Sequence, residues 1–98
     1  MLFRSVRADI LRIHAGKRSL TLAEPEIEQL AEACAGFSGA EIEQAVVSAL
    51  YAAHASGATA SASHVMSEVR GTRPLSIVMA ERIAELRAWA AERTVSAD

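Results

Sequence analysis

Cysteine occurs once in this 98-residue chain, proline twice, and aromatic residues make up only 4% of it. A single thiol, Cys34, cannot form an internal disulfide, and with neither a C-x-x-C pair nor a Cys/His cluster the sequence offers no zinc site. The lone thiol fits a reducing, cytoplasmic setting. No apolar run reaches the roughly 18 residues that a membrane span needs, and the arginine-rich start lacks the apolar stretch of a secretory signal. The expectation is therefore a soluble chain without membrane attachment. Strand-forming residues are also scarce: the 51% hydrophobic content is carried largely by 21 alanines, which favour helix over sheet. An all-α fold follows, and the length suffices for one domain and not for two.

Positive charge is missing from the whole middle of the chain. Residues 19 to 68 contain no Lys or Arg and seven Glu, whereas residues 1 to 18 carry a balance of +4 and residues 69 to 98 one of +1. The total is -2, with a sequence pI near 5.9. Such a middle half repels phosphate, so direct DNA or RNA binding is not expected.

What is present is helical periodicity punctuated by Gly and Pro. The first helix is expected from about Arg4 to His14, with Val6, Ile10 and Ile13 on its inner face and Gly16 as its stop. The second follows Pro25 and aligns Ile27, Leu30, Ala31 and Cys34 before Gly36. For the third, Ser38 and Glu41 form a capping box, and Ile42, Ala45, Val46, Ala49, Leu50 and Ala53 make a broad apolar stripe. Residues 55 to 63 read as a loop, and a short helix with Val65, Met66 and Val69 comes next. After the break at Gly71, Thr72, Arg73 and Pro74, Ser76 caps a last helix to about Arg93. Its stripe of Met79, Ile83, Leu86 and Ala90 has the spacing to cover a small bundle. Ile77, Val78 and Trp89 cannot all share that stripe, and they mark this helix as an assembly contact through which the chain self-associates.

Catalytic chemistry does not declare itself. The Glu residues follow solvent-facing patterns, Cys34 occupies an apolar helix position without a basic neighbour in sequence, and Gly16-Lys17 lacks the G-x-x-x-x-G-K-[ST] frame of a phosphate loop. The string Gly36-Phe37-Ser38-Gly39-Ala40-Glu41-Ile42-Glu43 stands apart. It combines a glycine helix stop, a capping serine and a small first turn whose backbone N–H groups another molecule could approach. It also serves equally as a plain helix-helix connection. Ile10 fits an ordinary core position, and His14 fits a helix end favoured by its dipole.

Residues Gly36 to Ile42 resemble the G-F-S-G-A-[DE]-[IL] signature of the C-terminal lid domain of AAA ATPases, as in the membrane-bound bacterial metalloproteases and the proteasomal ATPases. Arg4 to His14 resembles the R-x-x-I-L-x-x-H helix of the same lid, with 25 residues from His14 to Gly39 as in that family. Ser38 to Tyr51 and Thr72 to Trp89 look most like a subgroup found in bacteria, cyanobacteria and chloroplasts, whose role is ill defined. The resemblance spans nearly the whole chain. It implies a lid domain over 1–98, a small bundle of about four lid helices with a C-terminal helical extension over 72–98.

In that family the lid packs over ATP or ADP held by a separate α/β domain, which also holds Mg2+. Carried over, Ile10 contacts the adenine, His14 lies against base and ribose, and Gly39 and Ala40 pass close to the adenine; these four are expected to meet in one concavity. The resemblance further implies two partners, the α/β domain of the same protein and neighbouring subunits of a ring, and a part in ATP hydrolysis only when joined to that domain. Walker motifs and an arginine finger frame belong to the α/β domain and are absent here. Position 40 is Ala, where other AAA+ clades place the sensor-2 arginine. Two readings from other classes compete: a freestanding helical adaptor that binds a partner helix, and a homodimeric helix bundle with no ligand.

Overall fold

The computed structural model describes residues 2–72 and 75–96. They form five helices: α1 (Arg4–Lys17), α2 (Glu24–Ala33), α3 (Gly39–Ala55), α4 (Ala62–Gly71) and α5 (Leu75–Ser96). Among the described residues there is no strand. The fold is all-α, as composition and periodicity predict.

Helices α1 to α4 close into a ring of contacts. α1 lies against α2 and α3, and α4 completes the ring by packing on the same two. Inside it sit Leu11, Leu30, Ile42, Val46, Val65 and Cys34, all fully buried. The inner stripe of α2 is the one expected, while Met66 on α4 and Leu50 on α3 depart from theirs, lying half-buried. Several ring positions are alanine, including Ala8, Ala15, Ala31, Ala45 and Ala49. Small side chains there let the helix backbones approach closely, which a ten-kilodalton bundle needs in order to exclude water from so few large residues.

That same use of alanine corrects the reading of α1. Its buried residues are Arg7, Ala8, Leu11 and Ala15, while Val6 and Ile13 are exposed and Ile10 is half-buried. Two stripes run side by side on this helix, and periodicity weighted towards large aliphatics selects the wrong one. Arg7 is the unexpected core member. Its Nε donates to Ala31 O at 2.7 Å and its Nη1 to Leu2 O at 2.6 Å, so a cation is held inside by main-chain acceptors from α2 and the N-terminal segment.

Helix ends explain the remaining differences. Gly16 is not a stop but a residue within α1, which runs one residue further. The chain reverses at Ser19, with φ 56°, while Leu20 N–H donates to Ala15 O and Ser19 N–H to Gly16 O. This is a Schellman ending with serine in the left-handed position usually given to glycine. α3 closes the same way at Gly57, φ 72°, with Ala58 N–H on Ala53 O and Gly57 N–H on His54 O. The Ser38 box is formed as expected: Glu41 N–H donates to Ser38 Oγ, and Ser38 N–H to Glu41 Oε1.

α5 stands outside the ring and packs on none of the other helices among the described residues. Met79, Ile83 and Leu86 are exposed, together with Ile77 and Trp89, so the stripe does not cover the bundle. Ser76 falls inside its first turn and not before it. Arg73 and Pro74, part of the expected break, lie outside the described residues.

Candidate functional site

The candidate site lies along the seam between α1 and α3. Both helices are placed by the ring packing, and the capping box of Ser38 fixes where α3 begins. Of the first four amides of α3, that of Glu41 is taken by the Ser38 hydroxyl and that of Ile42 by the Ser38 carbonyl. The amides of Gly39 and Ala40 are the two that helix geometry leaves over.

Ile10 meets this first turn. A Cβ added to Gly39 would lie 3.6 Å from Ile10 Cδ1, an ordinary contact distance, so the glycine is filled against by the isoleucine and leaves space for nothing much larger than a methyl group. One turn further along both helices, His14 Nδ1 lies 3.3 Å from Glu43 Oε2. The His14 side chain is 16% exposed and thus mostly enclosed. The seam therefore brings together Ile10 with Gly39 and His14 with Glu43. Ala40 is exposed beside Gly39 and has no described contact with the other three.

Arg18 completes the cluster. Its Nη1 lies 3.2 Å from His14 Nδ1 and donates to His14 O at 3.3 Å, while its Nη2 donates to Glu43 Oε2 at 3.4 Å. Sequence reasoning assigns Glu43 to a solvent-facing pattern and gives Arg18 no role. Helical spacing holds only half of the signal, since Arg18 is four residues after His14 and Glu43 four after Gly39, while the packing of α1 beside α3 supplies the rest.

Other clefts lie nearby. One of about 510 Å³ runs along the other side of α1 and is lined by Phe3, Ala8, Asp9, Arg12 and Glu28 among others. At its edge Arg12 bridges Asp9 and Glu24, and the hydrogen bond from Arg12 holds the exposed Glu24 carboxyl below its ordinary range. A smaller one, lined by Arg18, Val47, Leu50, Tyr51 and His54, continues the α1–α3 seam towards the end of α3. Among the described residues no three His, Cys, Asp or Glu side chains converge as a metal site would require. The donors at the seam suit an apolar ring with polar edges. An isoleucine, an imidazole and two spare amides offer such a ligand a flat contact and hydrogen-bond donors, with the Arg18 guanidinium one turn beyond His14.

The chain carries an AAA+ lid domain: residues 24–67, from the start of α2 into α4, match the family model of that description. Gly39 and Ala40 fall within the matched segment, and Ile10 and His14 precede it. Over 90 residues, 91% of its length, the chain is also 31% identical to the "Uncharacterized AAA domain-containing protein ycf46" of Pyropia yezoensis. It spans 18% of that relative. No solved structure matches it. No helix among the described residues is long and apolar enough to cross a membrane.

Proposed function

We propose that this domain is the lid of an AAA ATPase, closing over the adenine and ribose of ATP or ADP and passing the nucleotide state to its neighbours. Ile10, Gly39 and Ala40 take the base, and His14 reaches base and ribose. The observation that carries this reading is the close approach of Ile10 to Gly39, which joins the two family motifs across 29 residues of sequence. The phosphates and Mg2+ fall to the α/β domain, since the cation at the seam, Arg18, is already engaged by Glu43 and by His14. That domain also gives a partner to Val6 and Ile13, whose exposed side chains run along the same face of α1 as Ile10.

Alone, the chain is expected to bind adenine nucleotides weakly and to turn over none, because base contacts without phosphate contacts supply little affinity and no transition-state stabilisation. Titration of ADP into the 15N-labelled chain tests this. Saturable amide shifts confined to Ile10, His14, Gly39 and Ala40 are expected, and Gly39→Leu, which drives a branched side chain into Ile10, should remove them. Shifts confined to the cleft around Asp9 and Arg12, or no shifts at millimolar ADP, would overturn the reading. So would hydrolysis by the purified chain.

The exposed face of α5 favours a second element of the same reading, assembly. A lid that joins a ring has to present apolar surface to another subunit, and α5 exposes Met79, Ile83 and Leu86 along one stripe, with Trp89 and Ile77 exposed outside it.

A further inference from the structure

We propose that Arg18 and Glu43 are positioning residues that fix the tautomer of His14, leaving Nδ1 bare and the ring proton on Nε2. For its consequence the proposal rests on the nucleotide reading above; the tautomer itself depends only on the bundle.

His14 Nδ1 has two neighbours that ask for opposite things. Arg18 Nη1, at 3.2 Å, belongs to a guanidinium that only donates, and Glu43 Oε2, at 3.3 Å, belongs to a carboxylate that only accepts. One ring nitrogen cannot satisfy both, because it carries either a lone pair or a proton. The surroundings decide between them. Glu43 Oε2 accepts from Arg18 Nη2 whatever the ring does, and its side chain, 45% exposed, is reached by water. Nη1 has two hydrogens and two acceptors before it, His14 O and His14 Nδ1. A proton on Nδ1 would set one N–H against another at hydrogen-bond distance in a partly buried place. With Nδ1 bare, every donor of the arginine fork that faces the cluster has an acceptor. Glu43 serves by anchoring the fork through Nη2, and Arg18 acts on the ring directly.

The neutral ring then presents an N–H donor at Nε2. Its match on a ligand is an acceptor, a ring nitrogen of the base or a ribose oxygen. A ring with the opposite tautomer would present a lone pair at Nε2 and prefer a hydroxyl or amino donor. Two charged side chains that touch no ligand thereby select which polar edge the seam accepts.

Two-bond 1H–15N correlation spectra of the full chain, labelled at histidine and recorded where the ring is neutral, read the tautomer directly. The expected pattern for His14 is an unprotonated Nδ1 and a protonated Nε2. In Arg18→Met the only charged partner left at Nδ1 is Glu43, and the ring should shift towards the Nδ1–H form; Arg18→Lys, which keeps a donor, and Glu43→Gln should retain Nε2–H. A protonated Nδ1 in the wild type overturns the proposal, as does an unchanged tautomer in a folded Arg18→Met chain. Should Arg18→Met fail to fold, the wild type and Arg18→Lys spectra still decide. ADP titration supplies the second arm, with an affinity about three- to tenfold weaker in Arg18→Met, the worth of one hydrogen bond. If ADP leaves His14 unmoved while the tautomer is as stated, the nucleotide reading fails and the tautomer stands. If ADP moves His14 while Nδ1 is protonated, the reverse holds.

Discussion

The four-helix ring and α5 are built from the same materials and put them to opposite uses. Both carry aliphatic side chains at helical spacing, with alanine filling the gaps. In the ring, Leu11, Leu30, Ile42 and Val46 are fully buried; on α5, Met79, Ile83 and Leu86 are exposed. The difference lies in what stands opposite. Each ring helix is amphipathic against two others, whereas among the described residues α5 meets none of them. An apolar stripe records a demand for a partner and does not say whether the partner is in the same chain.

One substitution made in both regions sharpens the contrast most. Leu11→Ala should lower unfolding stability by about 2–5 kcal/mol, since it opens a cavity in a ring with little capacity to collapse. Leu86→Ala, the same chemical change on α5, should stay within about 0.5 kcal/mol in the monomer. Thermal or urea unfolding of the two variants measures both, and equal losses would mean that α5 belongs to the core after all. Next in size is Arg7→Met, which keeps the length of the side chain and strands the carbonyls of Ala31 and Leu2; a loss of about 1–3 kcal/mol is expected from the same unfolding curves.

A smaller effect, of opposite sign, belongs to the end of α1. Ser19→Gly should stabilise the ring by about 1 kcal/mol by relieving a left-handed serine, and Gly16→Ala by up to about 1 kcal/mol because it replaces glycine inside a helix, where an added Cβ meets nothing within 4 Å. If Gly16 were the helix stop, the alanine would destabilise. The smallest effect on unfolding is expected from Trp89→Glu, yet sedimentation should register it. The wild type is expected to self-associate through α5 and the variant to move towards monomer. A wild type that stays monomeric at high concentration would leave that face to a different partner.

Much of this fold is readable from sequence because its helix boundaries are written in local chemistry. Pro25 in the first turn of α2, the Ser38–Glu41 box and Gly36, φ 86°, each act within a few residues of chain. Where the reading failed, the deciding partner was distant. Val6 and Ile13 look as apolar as Leu11, and only the proximity of α2 and α3 selects the alanine-flanked stripe. Arg7 counts as surface charge until Ala31 O and Leu2 O appear before it. Gly16 looked like a stop because glycine usually takes the left-handed place, and here Ser19 takes it. At the seam, Ile10, His14, Gly39 and Ala40 were named as candidates through resemblance, and the fold brings Ile10 against Gly39. Arg18 and Glu43 were not, because their role depends on two helices lying side by side.

Cys34 gives the bundle a clock. Its thiol is fully buried beneath Arg7, and burial pushes it from an ordinary 9.0 up to about 11, outweighing the nearby guanidinium. The sign follows: with the folded value above the unfolded one, the fold loses nothing to this group below about pH 9 and loses stability progressively as pH rises from there to about 11. At neutral pH a thiol reagent finds neither access nor thiolate until the ring parts. The rate of labelling then counts opening events under native conditions, without denaturant. A nucleotide clasped along α1 and α3 would slow that clock, and damage confined to α5 would leave it running at the same pace.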